Sequence, residues 1–193
     1  MLLPALTLLA VLLVAPLGGR LRALTELRLH GGGLVLAALG LQVLAFLVLT
    51  GAPRALLVGM HAASYLLAAA FVWRNRQLPG LWLIASGALL NALVLAVNGG
   101  TMPASADAVR RAGLPLVEQD YSNSGVLSQP RLAPFGDVFA SPSWLPLHNV
   151  FSVGDLLVMA GAVWLVHRSC RTVLARDPRP ALAALRARAT RPA

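Results

Sequence analysis

Long apolar segments constrain this chain more than any other feature, because each is close to the length needed to cross a bilayer. A helix needs about 20 mainly apolar residues to cross a hydrocarbon core of about 30 Å, since it rises about 1.5 Å per residue. The sequence predicts such helices over Leu2–Leu17, Gly32–Thr50, Ala55–Trp73, Gly80–Val97 and Val153–His167. The predicted fold class is therefore an all-α membrane protein with five transmembrane helices.

The composition favours the same class. Charged residues make up 12% of the 193 residues, whereas soluble domains carry about 25%. Every basic residue is arginine, and the arginines lie mostly at the ends of the apolar segments and in the C-terminal tail. The net charge of +9 therefore predicts helix orientation rather than a nucleic-acid partner. The single Cys170 excludes a disulfide within the chain.

The placement of arginine predicts the orientation of the bundle. Arginines are concentrated in the first connection, the third connection and the tail: Arg20, Arg22, Arg28, Arg74, Arg76, Arg168, Arg171, Arg176, Arg179, Arg186, Arg188 and Arg191. The second connection holds Arg54, and the long loop over residues 98–152 balances its arginines with acidic residues. The positive-inside rule then places the N-terminus outside and the C-terminus in the cytoplasm. We expect a multi-pass protein of the cytoplasmic membrane.

The domain organisation follows from this topology. We expect a single transmembrane bundle over residues 1–168, which includes the long loop, and a basic cytoplasmic tail over 169–193. The arginine-rich side predicts contact with anionic lipid at the cytoplasmic face. Apolar residues recur through the long loop, so we expect this extracytoplasmic loop to fold onto the helix ends. Within it, Ser105–Gly113 has the pattern of a short helix with an N-cap serine and a C-terminal glycine.

Polar side chains within the spans are few, and the derived depths place most of them in the outer half of the membrane. We predict an outer-leaflet cluster of ligand or partner candidates: His61, Tyr65, Asn91, Asn98, Asp137 and Asp155. Hydrogen bonding between neighbouring helices is the alternative role for the neutral members. For Asp155, a functional ionisable group and a carboxylate that stabilises the helix dipole both fit the sequence.

Other motifs point away from catalysis. No His, Asp or Glu spacing matches a metal site, and Gly99-Gly100 lacks the residues of a phosphate-binding loop. No nucleophile motif is present. We expect no metal, no cofactor and no catalytic residue. The glycine pairs Gly33/Gly40 and Gly154/Gly161 are seven residues apart and predict close approach between helices.

Three motifs occur in order along nearly the whole chain. They are GGRLRALTELRL, NALVLAVNGGTMPAS, and FGDVF followed by NVFSVGDLLVMAG. Together, and chiefly through N-G-G-x-M-P-x-S and S-x-G-D-x-L, they resemble a family of small bacterial integral membrane proteins described only as a domain of unknown function. The resemblance implies a five-helix membrane protein with an external loop, and it carries no activity, cofactor or catalytic residue.

The same resemblance picks out a set of positions in this chain: Asn98, Gly99, Gly100, Met102, Pro103, Asp137, Gly154 and Asp155. Physically, Gly99 and Gly100 permit a sharp turn where the fourth span ends. Pro103 would stiffen that turn.

Three functional interpretations remain open on the sequence alone. The favoured one is a non-enzymatic accessory, scaffold or assembly subunit of a membrane-protein complex, whose long loop contacts an extracytoplasmic partner. The second is a small-molecule, lipid or quinone binding protein or transporter that uses the outer-leaflet cluster, although no inverted repeat is visible. The third is an intramembrane enzyme acting on lipid or quinone through His61, Tyr65 and Asp155.

Overall fold

A computed structural model describes residues 2–45, 52–115, 124–145 and 148–175, and within these ranges the protein is mostly helical. Its helices are α1 Leu2–Leu12, α2 Arg22–Thr25, α3 Gly32–Val43, α4 Arg54–Arg74, α5 Leu81–Val97, α6 Ala106–Arg111 and α7 Val153–Ser169. Its strands are β1 Met102–Pro103, β2 Ser124–Gly125, β3 Asp137–Ala140 and β4 Val150–Ser152. All four strands lie in the long loop, so the prediction of an all-α fold is wrong in this region.

The long helices pack in two groups. Helix α5 packs against α7, and α1 packs against α7 as well, whereas α4 packs chiefly against α3. Glycines bring α5 and α7 together: a Cβ atom on Gly161 would lie 2.6 Å from the Gly80 carbonyl oxygen, and one on Gly154 would lie 2.7 Å from that of Gly87. The two backbones are therefore in contact at two places, Gly80 with Gly161 and Gly87 with Gly154. In each segment the two glycines are seven residues apart.

The predicted glycine contacts are correct for one pair and wrong for the other. Gly154 and Gly161 line the α5–α7 contact as expected. Among the residues that the structure describes, an added Cβ atom at Gly33 or Gly40 would have no neighbour within 4 Å. A seven-residue spacing places two glycines on one helix face, but it does not determine whether another helix covers that face.

Hydrogen bonds hold the arginine-rich connections together at one end of the helices, which we call the arginine end. Asn75 donates to the His30 carbonyl at 2.8 Å and accepts from the His30 N–H at 2.8 Å. This pair joins the first connection to the third. The Arg20 N–H donates to the Cys170 carbonyl at 3.0 Å, which joins the first connection to the segment after α7.

The long loop folds at the opposite end. Helix α6 stops in a Schellman motif, since Leu114 N–H donates to the Val109 carbonyl and Gly113 has a φ of 69°. The short helix predicted over 105–113 is thus present, although the Ser105 side chain forms no capping hydrogen bond. A small core connects α6 to β4 through Ala108, Val109, Ala112 and Val150.

Within the described residues, helix length supports one of the five predicted spans. Among the described residues, α4 is the helix that is long and apolar enough to cross a membrane, over Ala55–Arg74, with a mean hydropathy of 1.9. The apolar helices α3 and α5 are shorter. Helix α1 ends at Leu12 rather than Leu17 and rises only about 16 Å. The chain then turns at Gly18, where φ is 69°. Residues 46–50 of the predicted second span, and residues 176–193 of the predicted tail, lie outside the described residues.

Replacing Gly161 by alanine tests the α5–α7 contact. We expect Gly161→Ala to destabilise the protein by about 1–3 kcal/mol, because the new methyl group would overpack against the α5 backbone. Gly40→Ala is the matched control within a helix and should be neutral or raise stability by up to about 1 kcal/mol. Thermal unfolding in mild detergent measures both. Equal midpoints for the two variants would contradict the close contact.

Candidate functional site

The start of α7 is built around a reciprocal capping pair. The Ser152 side-chain oxygen accepts from the Asp155 N–H at 3.0 Å, and the Asp155 carboxylate accepts from the Ser152 N–H at 3.0 Å. Two backbone donors that the first turn of a helix leaves unpaired are satisfied in this way. Asp155 also places negative charge at the positive end of the helix dipole. This position agrees with the dipole role considered for Asp155 in the sequence, whereas the capping pair with Ser152 was not predicted.

Asn91 links this helix start to α5. Its side-chain amide donates to Asp155 Oδ1 at 2.8 Å, and its Oδ1 accepts from Ser152 Oγ at 2.9 Å. The approach depends on Gly154, because a Cβ atom there would lie 2.6 Å from the Asn91 side-chain carbon Cγ. Any larger residue at position 154 would push Asn91 away from the capping pair.

Asp137 approaches the same place from the long loop. It is the Cα partner of Ser152 in the antiparallel β3–β4 pair, and it is 6% exposed. Ser124 Oγ donates to Asp137 Oδ2 at 2.5 Å. Burial raises the pKa of Asp137 above its ordinary value of 3.8; the Ser124 hydrogen bond opposes this shift, and the charge of Asp155 adds to it. We call Asn91, Ser124, Asp137, Ser152 and Asp155 the polar cluster.

Asn98 lies at the end of α5 and holds the long loop there. Its amide donates to the Val94 and Arg131 carbonyls at 2.8 Å each, and its Oδ1 accepts from the Arg131 N–H at 2.8 Å. Gly99 and Gly100 follow with φ of 69° and 95°, and Gly100 N–H donates to the Leu95 carbonyl at 2.8 Å. These bonds end α5 in a Schellman motif, which requires a left-handed residue after the cap.

Pro103 packs against the segment that leads into Asp137. It lies in β1, and a Cβ atom on Gly136 would collide with the Pro103 carbonyl oxygen. The Ser105 N–H donates to the Asp137 carbonyl at 3.0 Å. The residues after α5 are therefore fastened both to α5 and to β3.

His61 and Tyr65 occupy the other group of helices. Both lie on α4, where His61 Nδ1 is 2.8 Å from the Leu57 carbonyl and Tyr65 is 47% exposed. Between them, Ser64 accepts a hydrogen bond from Gln42 of α3 at 3.2 Å. The polar cluster instead joins α5, α7 and the long loop. The structure thus brings Asn91, Asp137 and Asp155 together, with Asn98 at the end of the same helix as Asn91, and it places His61 and Tyr65 on α4.

Two members of the polar cluster were not among the predicted site residues. Ser152 had a readable signal, because serine three residues before an acidic residue at the start of an apolar segment is a capping pattern. Ser124 had none, since its contact with Asp137 depends on how the long loop folds. In the part of the chain that the structure describes, no group of three or more His, Cys, Asp or Glu residues could hold a metal ion.

The arrangement is suited to holding elements together. Each hydrogen bond of Asn91, Ser152 and Asp155 described above joins two different elements or closes a helix end. The carboxylates accept hydrogen bonds from amide, hydroxyl and backbone donors within the cluster. Chemically, these contacts form a joint between α5, α7 and β3.

Most of the chain matches the sequence pattern of one protein family. The pattern of a family of unknown function, DUF5317, matches residues 26–167. The chain belongs to this family. The matched range contains the whole polar cluster and the N-G-G-x-M-P-x-S motif, whereas α1 and the whole predicted basic tail lie beyond it.

A relative of this DUF5317 protein occurs in Thermotoga maritima, where it is named an uncharacterized protein. The two are 36% identical over 93 residues, which is 47% of this chain and 52% of the relative. The chain thus spans about half the length of that relative. No solved structure matches the chain.

Removing the Asn91 side chain tests the joint. We expect Asn91→Ala to lower stability by about 1–3 kcal/mol, because Asp155 and Ser152 would each lose a partly buried hydrogen-bond partner. Ser86→Ala, at an exposed position on the same helix, is the control and should have little effect. Thermal unfolding in detergent measures both. The double variant with Ser152→Ala should lose less than the sum of the single losses; additive losses would count against a shared network.

Asp137 predicts a distinct pH dependence. Its folded-state pKa is raised, so the folded protein binds this proton more tightly than the unfolded chain and its ionisation destabilises the fold at neutral pH. We expect Asp137→Asn to be at least as stable as the parent at pH 7. That advantage should shrink as the pH falls through the raised pKa towards about pH 4. Asp107→Asn, at an exposed carboxylate, is the control. If the stability advantage of Asp137→Asn over the parent did not change with pH, the burial of this charge would be refuted.

Proposed function

We propose that the protein is a multi-spanning protein of the cytoplasmic membrane, with the five predicted spans, whose long loop serves as a non-enzymatic contact for an extracytoplasmic partner. The observation that carries the membrane part is the apolar surface of the helices. Leu36 of α3, Leu66 of α4 and Leu89 of α5 are 72%, 71% and 70% exposed. Soluble proteins rarely expose apolar patches of this extent.

The low burial of α4 supports the same proposal. Only 6% of its most apolar 18-residue window is buried, so α4 does not resemble the core helix of a soluble protein. Helices α5 and α7 have 17 residues each, which is close to the lower limit for a span. For the second span, the sequence after α3 stays apolar as far as Thr50.

The arginine end supports the proposed orientation. The described arginines at that end are Arg20, Arg22, Arg28, Arg74, Arg76, Arg168 and Arg171, and Glu26 is the acidic residue beside them. The long loop carries acidic and basic residues together at the other end. We place the arginine end in the cytoplasm against anionic lipid, because arginine-rich connections are retained on that side.

The polar cluster supports a structural rather than a catalytic role for the outer half. The Asp155 carboxylate is engaged at the start of α7, and the Asp137 carboxylate accepts from Ser124. The alternative of a small-molecule, lipid or quinone binding protein or transporter would need polar groups that are free to bind a ligand. The accessory, scaffold or assembly role therefore fits these contacts better.

Cysteine labelling tests the orientation. In a Cys170→Ser background, Ser128→Cys lies on an exposed turn of the long loop, and Arg22→Cys lies on an exposed position of the arginine end. In right-side-out membrane vesicles, a membrane-impermeant maleimide should label Ser128→Cys at once and Arg22→Cys only after detergent is added. The reverse pattern would overturn the proposed orientation, and extraction of the protein by carbonate without detergent would overturn membrane integration.

Affinity purification in mild detergent, followed by mass spectrometry, tests the accessory role. A stoichiometric protein partner that is lost when the long loop is altered supports it. Recovery of a bound quinone or other small molecule, without a protein partner, would favour the alternative.

A further inference from the structure

The long loop also contains a cleft, and none of the residues that line it belongs to the polar cluster. It has a volume of about 350 Å³ and lies between α6 and the β3–β4 pair. Its lining residues are Arg111, Val138, Phe139, Ala140, Ser141, Pro142 and Phe151. The volume is at the lower end of the range of small-ligand sites, which is about 300–1,000 Å³.

One wall of the cleft is aromatic. Phe139 and Phe151 are cross-strand partners whose rings stack with centroids 5.6 Å apart. Ser141 Oγ is already engaged, because it donates to the Asn149 carbonyl at 3.0 Å and accepts from the Asn149 N–H at 2.6 Å. The cleft therefore offers aromatic surface, and its hydroxyl group is occupied.

Arg111 gives the cleft its charge. Its Nε donates to the Asp107 carbonyl at 3.3 Å, and in the part of the chain that the structure describes no carboxylate forms an ion pair with it. The neighbouring Arg110 differs, because it is paired with the Asp107 carboxylate. Arg111 thus presents guanidinium donors beside an apolar wall, which suits a phosphate or carboxylate attached to an apolar body.

The position of the cleft identifies which anion would reach it. Phe151 directly precedes Ser152, the N-cap of α7, so the cleft lies at the end of α7 opposite the arginine end. In the orientation proposed above, that level is the outer headgroup region of the membrane. Other large apolar side chains of the long loop are exposed as well, including Trp144 at 79% and Phe135 at 40%. Aromatic residues favour this interface.

We propose that this cleft binds the phosphodiester headgroup of an anionic phospholipid of the outer leaflet, with Arg111 contacting the phosphate and Phe139 and Phe151 contacting the upper part of the lipid. This inference rests on the proposed orientation. It gives the long loop a second attachment to the membrane, in addition to its bonds to α5 and α7.

Lipid titration of the detergent-purified protein, followed by native mass spectrometry, tests the proposal. Wild type should retain phosphatidylglycerol in preference to phosphatidylcholine. Arg111→Gln should weaken the tightest phosphatidylglycerol site about tenfold, because it removes charge-assisted hydrogen bonds to the phosphate. Arg110→Gln removes the same charge one residue away and should leave that site unchanged. Unchanged unfolding midpoints for both variants exclude a folding defect.

The outcomes separate the cleft from the proposed function. Equal phosphatidylglycerol affinity in the two variants, or equal affinity of wild type for the two lipids, would overturn the proposed lipid site in the cleft. Displacement of the lipid by an equal concentration of free glycerol phosphate would overturn the choice of a lipid. Binding in detergent does not depend on orientation, so inward labelling of Ser128→Cys with intact binding would overturn the outer-leaflet assignment instead.

Discussion

The close contact between α5 and α7 is the interaction on which the rest of the structure depends. Gly80 meets Gly161, and Gly87 meets Gly154, so the two backbones approach without intervening side chains. Only at this separation does Asn91 reach both Ser152 and Asp155. Because the long loop leaves from the end of α5 and returns at the start of α7, the same contact also fixes the distance that the loop must bridge.

The sequence predicted local features better than contacts between elements. The end of the fourth span at Val97, the start of α7 at Val153 and the helix inside 105–113 follow from apolar length, caps and glycine, which act over a few residues. The partners of Gly154 and Gly161 on α5 could not be predicted, because spacing on one helix does not specify its neighbour. Gly33 and Gly40 have the same spacing and, within the described part of the chain, no such neighbour.

The predicted site residues show the same difference between local features and contacts between elements. Asn91, Asp137 and Asp155 meet because the α5–α7 contact and the β3–β4 register bring three segments together. Depth along each predicted span contains no information on which helices are neighbours. His61 and Tyr65 therefore share the predicted level and lie on α4, which packs chiefly against α3. Ser124 could be found only once the long loop was folded.

The polar groups of this protein differ in whether their hydrogen bonds are already made within the protein, and this difference distinguishes structural surfaces from binding surfaces. Burying a carboxylate is unfavourable unless hydrogen bonds replace its water, and in the polar cluster these bonds come from the protein itself. A ligand that entered there would have to break bonds that hold α5, α7 and β3 together. Arg111 makes one hydrogen bond through Nε and lines a cleft with an aromatic wall. Recognition is therefore expected at the cleft, while the polar cluster keeps the loop that forms it in place.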